Sequence, residues 1–145
     1  MRDWNAALDF RPPVPRNKPA HGIGIIGCGG IVRNQHIPAY RAQGFRIVAV
    51  ADPNEANARE ASRLAGGVPV YADHRRLLER RDVTVVDAAT HPKVRVALIA
   101  DALAAGKHVL SQKPFVLDLT LGARLAAQAK RMKRMLAVNQ NGRWD

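Results

Sequence analysis

The chain has 145 residues, a net charge of +11 and a hydrophobic content of 47%, which suits one domain with a buried core. Cys28 is its single cysteine, so an intrachain disulfide and a multi-cysteine metal site are excluded, and a reducing compartment is favoured. No apolar run approaches the roughly 20 residues that span a bilayer, and residues 1–21 lack the apolar stretch of a secretory signal. We therefore predict a cytoplasmic protein without a membrane partner.

The positive charge is concentrated in short clusters. The densest covers residues 130–134, and two arginine pairs lie at 75–76 and 80–81. No zinc-finger spacing, RNA-binding aromatic motif or basic zipper accompanies these clusters. We interpret them as solvated helix faces and expect no nucleic-acid partner. A nucleic-acid-binding protein remains the alternative that charge alone suggests.

Short apolar runs predict six strands in chain order. They cover residues 23–26, 47–51, 68–71, 83–88, 108–110 and 135–138, of which 68–71 is the weakest. The runs are nearly continuous rather than alternating, which is typical of strands buried on both faces of a parallel sheet. Residues 1–21, which are rich in proline, predict an extended arm before the first strand.

Helical patterns separate these runs. One apolar stripe joins Ala58, Ala61, Leu64 and Ala65; another joins Val96, Ile99, Ala100 and Leu103; a third joins Leu121, Leu125, Ala129 and Met132. Pro92 and Gly106 bracket the second helix, and either Asp118 or Thr120 would cap the third. Strands alternating with helices predict an α/β Rossmann-like domain over residues 22–145, doubly wound, with strand order 3-2-1-4-5-6.

Two registers of a glycine-rich loop compete near the first strand. Gly22, Gly24 and Gly27 fit the letters Gly-x-Gly-x-x-Gly, but they would place the loop inside that strand. A phosphate-binding turn has to follow the strand and open a helix. This requirement favours the register that begins at Gly27 and reaches Val32.

In that register the backbone is suited to a dinucleotide. Gly27 makes the tight turn, Gly29 lets the backbone approach a pyrophosphate, and a helix beginning near Gly30 points its free N–H groups at the phosphates. Val32 stands where glycine or alanine usually allows close packing, so we expect the helix to lie slightly outward, and Pro38 should bend it. The predicted loop comprises Gly27, Cys28, Gly29, Gly30 and Ile31.

An acidic residue follows the second predicted strand. Asp52 lies 25 residues after Gly27, near the ~20 expected for a carboxylate that binds the adenosine ribose. Such a carboxylate repels a 2′-phosphate, and no arginine adjoins Pro53 and Asn54, so NAD is favoured over NADP. The alternative is that Asp52 caps the next helix, with Pro53 in its first position.

Three segments together are more specific than the loop. Residues 106–114 read Gly-Lys-His-Val-Leu-Ser-Gln-Lys-Pro, residues 90–92 read Thr-His-Pro, and residues 139–144 read Asn-Gln-Asn-Gly-Arg-Trp. The region from about residue 23 to 144 resembles the glucose–fructose oxidoreductase / inositol dehydrogenase (Gfo/Idh/MocA) family. The resemblance implies an NAD(P)-dependent oxidoreductase that acts on CH–OH groups of a sugar or polyol, and it leaves a homo-oligomer open.

The resemblance also implies roles for matching positions. Lys113 would be the catalytic residue near the nicotinamide, positioning substrate or assisting proton transfer. Pro114 would shape its turn, through a cis bond if the family pattern holds. The remaining residues expected to line the cofactor cleft are Thr90, His91, Pro92, Gln112, Asn139 and Gln140.

Two positions depart from the family pattern. Gln112 replaces the usual glutamate, so a negative charge beside Lys113 is lost and the pKa of that lysine would be set differently. Arg95 stands where many relatives carry histidine. Among the other candidates, His36 follows the loop on a helix and could face the cofactor, whereas His108 is interpreted as structural. The histidines show no metal-ligand spacing, so we predict no metal.

Relatives in this family carry a second domain after the Arg-Trp segment, with substrate contacts and a catalytic histidine. We predict that this substrate domain is absent from the 145 residues. Because turnover needs both reactants held in place, we expect cofactor binding with little or no dehydrogenase activity. A non-catalytic nucleotide-binding or regulatory module, or a truncated remnant, is the alternative hypothesis.

Overall fold

The computed structural model of the chain describes residues 20–140. It contains six strands, which are β1 (Gly22–Ile26), β2 (Arg46–Ala51), β3 (Val70–Tyr71), β4 (Val85–Ala88), β5 (His108–Gln112) and β6 (Leu136–Asn139). They form one sheet in the order β3-β2-β1-β4-β5-β6, and every neighbouring pair is parallel. The predicted Rossmann-like fold and its strand order are therefore confirmed.

Helices connect the strands. The segment after β1 is helical from residue 30 to 42 and consists of two helical residues, a π-helical turn (Val32–His36) and helix α1 (Ile37–Ala42). The other helices are α2 (Glu55–Leu64), α3 (His74–Leu78), α4 (Pro92–Ala104) and α5 (Leu119–Met132). Side chains begin several of them: Asp118 accepts hydrogen bonds from the N–H groups of Thr120 and Leu121, so Asp118, not Thr120, caps α5.

Both faces of the sheet are covered by apolar side chains. On one face, Ile25 and Val50 pack with Ile37 of α1 and Ala61 of α2. On the other, residues such as Val86 pack against α3, α4 and α5. Every residue of β1 is buried, as its uninterrupted apolar sequence predicts. The winding direction reverses between β1 and β4, and ligands of open α/β sheets bind at the carboxyl ends of the strands beside such a reversal.

The glycines of the rejected register have a packing role. A Cβ on Gly24 would lie 2.7 Å from a Leu77 methyl and 2.9 Å from one of Val83. Val83 precedes β4 rather than belonging to it, yet only 1% of it is exposed. The prediction that β4 starts at residue 83 was therefore wrong by two positions. The apolar side chain at residue 83 is explained by its burial between α3 and β1.

The helix after β1 departs from regular geometry where the sequence predicted strain. Val32 is fully buried in the core, and the π-helical turn begins at this residue and ends just before α1, whose second residue is Pro38. The widened turn coincides with the predicted crowding and with a proline that lacks an N–H group. The predicted extended arm (1–21) and the segment 141–144 lie outside the described residues, apart from Ala20 and His21.

Candidate functional site

The glycine loop follows β1 at the carboxyl edge of the sheet. The Gly27 N–H donates to the Ala51 carbonyl at 2.8 Å, and Gly27 has a φ of 91°. A Cβ at Gly27 would lie 2.9 Å from the Ala89 carbonyl carbon, whereas a Cβ at Gly29 would meet no atom within 4 Å. Gly27 therefore serves the turn itself, and Gly29 leaves open space above the backbone for a ligand.

Asp52 is tied to this loop. Its Oδ2 accepts a hydrogen bond from the Cys28 N–H at 2.7 Å, and its Oδ1 accepts one from the Asn54 N–H at 2.8 Å. Helix α2 begins at Glu55, and its cap is Asn54, whose side chain accepts from Asn57 N–H. The alternative that Asp52 caps α2, with Pro53 in the first turn, was therefore wrong. The half-buried carboxylate instead braces the glycine loop.

The Cys28 side chain lies in the protein interior. It is fully buried, and its Sγ lies 3.7 Å from the Ala51 carbonyl oxygen. Burial, and next the charge of Asp52, raise the pKa of the thiol to about 12. Such a thiol stays protonated, so it is not suited to act as a nucleophile.

A first cleft opens beside the loop and has a volume of about 670 Å³. The predicted residues that line it are Gly27, Gly29, Asp52, Thr90 and His91. Asp73, His74, Val94 and Leu98 complete much of its wall and were not predicted. Thr90 Oγ1 is buried without a hydrogen-bond partner among the described residues. A bound polar group could satisfy this orphan hydroxyl.

Thr90 and His91 lie where β4 passes into α4. The His91 side chain accepts a hydrogen bond from the Lys93 N–H at 3.3 Å, and Pro92 is the first residue of the helix. A side-chain acceptor at the cap and a proline in the first helical position are both favoured at the start of a helix. His91 consequently has a capping role as well as a place in the cleft wall.

Arg95 joins the ends of β4 and β5. Only 2% of it is exposed, and its guanidinium donates to the carbonyls of Thr90, Gln112 and Pro114. Burial lowers its pKa, and the charge of Asp87 opposes that effect. Arg95, which departs from the family pattern, thus acts as a clamp between two segments that carry predicted site residues.

The turn after β5 carries the predicted catalytic residue. The Lys113–Pro114 peptide bond is cis, as the family resemblance implied. Lys113 is exposed, while Gln112 is buried and accepts a hydrogen bond from the Lys113 N–H through Oε1 at 2.7 Å. Gln112 therefore anchors the backbone of this turn from below.

A buried polar network continues from Gln112. Its Nε2 lies 3.1 Å from His36 Nε2, and His36 Nδ1 lies 2.7 Å from Asp87 Oδ2. The Tyr40 hydroxyl donates to the same oxygen at 2.9 Å. The hydrogen bond to Asp87 raises the pKa of His36, against the opposing effect of burial. Burial and Asp87 also raise the pKa of Tyr40, so its hydroxyl keeps its proton.

A second cleft of about 540 Å³ lies above this network, between the helix after β1 and strands β5 and β6. Its lining residues are Ile31, Gln35, His36, Ala39, Tyr40, Leu110, Gln112 and Asn139. The sequence-predicted residues are thus divided between two clefts. Cys28, Gly30, Pro92, Lys113, Pro114 and Gln140 line neither cleft.

Sequence reasoning assigned no role in the site to three charged residues, Asp87, Arg95 and Arg33. Asp87 sits inside an apolar strand, and a buried carboxylate needs partners, so that signal was available. Arg95 offered only the family departure. Arg33 offered none, although its charge acts on the Cys28 thiol and its Nε is buried without a hydrogen-bond partner among the described residues.

Two further predictions concern a metal site and a membrane-spanning helix. Within residues 20–140, no three His, Cys, Asp or Glu side chains converge in a way that could hold a metal ion. In the same part of the chain, no helix combines the length and apolar character needed to cross a bilayer. His108 is structural as predicted, since its Nδ1 accepts from the Met135 N–H at 3.0 Å.

These residues fit a nicotinamide dinucleotide. The open space at Gly29, the orphan hydroxyl of Thr90 and the carboxylate of Asp52 lie along one edge of the sheet. Phosphate binding at a glycine loop and helix start, with a carboxylate on the next strand, is the common arrangement for such cofactors.

Known proteins similar to this chain include two dehydrogenases. The chain is 34% identical over 122 residues to D-apiose dehydrogenase of Paraburkholderia graminis, covering 83% of this chain and 32% of that protein. It is 35% identical over 127 residues to inositol 2-dehydrogenase of Gluconacetobacter diazotrophicus, covering 86% of this chain and 38% of that protein. The chain thus spans about a third of the length of these relatives.

A solved structure shares the fold. It is a 3-ketoreductase from Actinomadura kijaniata in complex with TDP-benzene and NADP, in an open conformation. The TM-score is 0.78 at 34% sequence identity, over 83% of this chain and 38% of that chain. Residues 21–140 match the family described as the oxidoreductase family with an NAD-binding Rossmann fold. The chain therefore belongs to the Gfo/Idh/MocA family of oxidoreductases.

Proposed function

We propose that the chain binds NAD along the carboxyl ends of its strands, as the cofactor domain of an oxidoreductase acting on a sugar or polyol. The observation that carries this proposal is the open backbone at Gly29, with Asp52 in the first cleft and Gln112 in the second. The adenosine half would occupy the first cleft, and the nicotinamide half would lie toward the second.

The preference for NAD rests on Asp52. Its carboxylate lines the first cleft and is held by two backbone N–H groups. A ribose 2′-hydroxyl can donate to such a carboxylate, whereas a 2′-phosphate would place negative charge against it. The similar 3-ketoreductase structure holds NADP, so the preference has to be tested on this chain.

Lys113 is proposed as the catalytic residue. Its backbone is anchored by Gln112, and its side chain is exposed beside the turn after β5. The bound nicotinamide would supply or accept the hydride. The ammonium group would position the substrate hydroxyl or carbonyl oxygen, or exchange a proton with it. The sugar and inositol dehydrogenases among the relatives support a CH–OH substrate.

Cofactor binding is the property to test first, by titrating the purified chain with NADH and NADPH and following nucleotide fluorescence. We expect NADH to bind more tightly than NADPH. Asp52→Asn keeps an acceptor for only one of the two backbone N–H groups that the carboxylate holds, and it removes the charge. It should therefore weaken NADH binding by about tenfold and narrow the preference for NADH over NADPH. Asp118→Asn is the matched control, because it preserves a helix cap at α5 away from both clefts.

The outcomes separate the parts of the proposal. A folded chain that binds neither nucleotide would contradict the cofactor site. Tighter binding of NADPH would contradict the NAD preference and direct attention to Arg33.

We further propose that the 145 residues alone oxidise sugars such as D-apiose, or inositol, slowly at best, because turnover requires both reactants to be held. Rapid NADH formation, lost in Lys113→Met, would overturn that expectation while supporting the role of Lys113.

A further inference from the structure

The hydrogen bonds around Gln112 have a fixed direction. A backbone N–H can only donate, so the Gln112 atom 2.7 Å from the Lys113 nitrogen is the carbonyl oxygen Oε1. The amide nitrogen Nε2 therefore points the other way, toward His36 Nε2 at 3.1 Å. An amide nitrogen is a donor only, so this ring nitrogen of His36 has to be the acceptor.

This direction determines the proton position on His36. With a lone pair at Nε2, the neutral ring carries its proton at Nδ1, which lies 2.7 Å from Asp87 Oδ2. The Tyr40 hydroxyl donates to the same carboxylate oxygen. Donors and acceptors thus run in one sequence from the Lys113 N–H through Gln112 and His36 to Asp87.

We propose that His36 is a positioning residue for Lys113: its neutral form, protonated at Nδ1, orients the Gln112 amide that holds the backbone of the catalytic turn. The inference rests on the proposed function only for the role of Lys113. The arrangement joins the helix after β1, β4 and β5, since His36, Asp87 and Gln112 come one from each.

Protonation of His36 would break this sequence of hydrogen bonds. A proton on Nε2 would face the amide nitrogen of Gln112, and two donors cannot bond. Rotating the amide would restore that contact but would turn its nitrogen toward the Lys113 N–H, which is again a donor. Either way, one of the two bonds that fix the turn is lost.

The surroundings favour protonation at a higher pH than usual. Asp87 on β4 faces Nδ1 and raises the pKa of His36, Tyr40 on α1 donates to Asp87, and Gln112 on β5 is uncharged. Arg95 on α4 is the cation whose pKa responds to the charge of Asp87. Lys113 should consequently lose its fixed backbone setting as the pH falls through the pKa of His36.

The identity of residue 112 decides this sensitivity. A glutamate carboxylate at this position could accept from both the Lys113 N–H and a protonated His36 Nε2. It would keep the turn fixed in the protonated state and stabilise that state. The glutamine found here supports only the neutral ring, so Gln112→Glu should separate the titration of His36 from the geometry of Lys113.

The test is NMR of the labelled 145-residue chain, following the histidine ring nitrogens and the Lys113 amide through a pH titration. In the unsubstituted chain we expect the Nδ1-protonated form of His36 at high pH. The chemical shift of the Lys113 amide should change with pH, with its midpoint at the pKa of His36. In Gln112→Glu, the pKa of His36 should rise by about 1 or more, and the Lys113 amide should no longer follow it. His108→Gln is the control, because it removes a histidine at the opposite end of β5.

Two results would overturn the proposal. One is an Nε2-protonated neutral ring at His36. The other is a Lys113 amide that ignores His36 in the unsubstituted chain or still follows it in Gln112→Glu. The spectra themselves report whether each variant is folded. Coupling between His36 and Lys113 in a chain that binds no NADH at any pH would support the positioning and contradict the proposed function.

Discussion

The two clefts flank the same glycine loop, yet they are built differently. The first takes its predicted contacts from residues at strand ends and turns, such as Gly29, Asp52 and Thr90, and the Asp52 carboxylate accepts hydrogen bonds from two backbone N–H groups. The second lies above Gln112, His36, Asp87 and Tyr40, which are buried or half-buried and are joined by side-chain contacts spanning up to 76 positions.

This difference separates two kinds of specificity. A cleft made of backbone and turn residues can be recognised from local spacing, because the turn needs particular residue types. A cleft floored by a side-chain network depends on which residues the fold brings together and on their proton states. Substitutions in the first should therefore act through backbone geometry, and those in the second through hydrogen bonding and pH.

The largest effect is expected at the glycine loop, where two alanine substitutions should behave oppositely. Gly27→Ala places a side chain at a φ of 91° and 2.9 Å from the Ala89 backbone, so it should cost about 3 kcal/mol of folding stability. Gly29→Ala enters open space and should leave stability nearly unchanged while weakening NADH binding. Urea unfolding and NADH titration measure the two quantities. Equal stability losses would contradict the distinction.

An intermediate effect is expected at Arg95, which connects the walls of both clefts. Arg95→Met removes the donor for three carbonyls and should lower the free energy of unfolding by about 2 kcal/mol. Arg124→Met, at an exposed position on α5, is the control and should change it by less than about 0.5 kcal/mol. If both variants unfold at the same urea concentration, the clamp contributes nothing.

The smallest effect, and the one that most sharpens the comparison, is a pH dependence at Asp87. Because Asp87 raises the pKa of His36 above the ordinary 6.5, the resulting stability is fully present below pH 6.5 and is lost as the pH rises through the raised pKa. Asp87→Asn should therefore cost more stability below pH 6.5 than in alkaline solution. Urea unfolding across this range measures the cost, and a pH-independent difference would show that His36 does not titrate against Asp87.

The sequence by itself determined the fold and part of the site. Apolar runs of strand length, helices between them and a glycine turn specify a parallel doubly wound sheet, because each signal is local and repeats along the chain. The same local logic located Gly27, Gly29 and Asp52 at one edge. The family resemblance supplied Lys113 and the cis bond at Pro114, and the cytoplasmic location stays a prediction.

Only the tertiary structure decided how distant polar groups are paired. The clamp at Arg95 and the link from Gln112 through His36 to Asp87 join residues from separate elements. No spacing rule encodes these partners, since they depend on how the helices lie across the sheet. Buried polar groups have to be satisfied, but which neighbour satisfies them is a property of the packed fold.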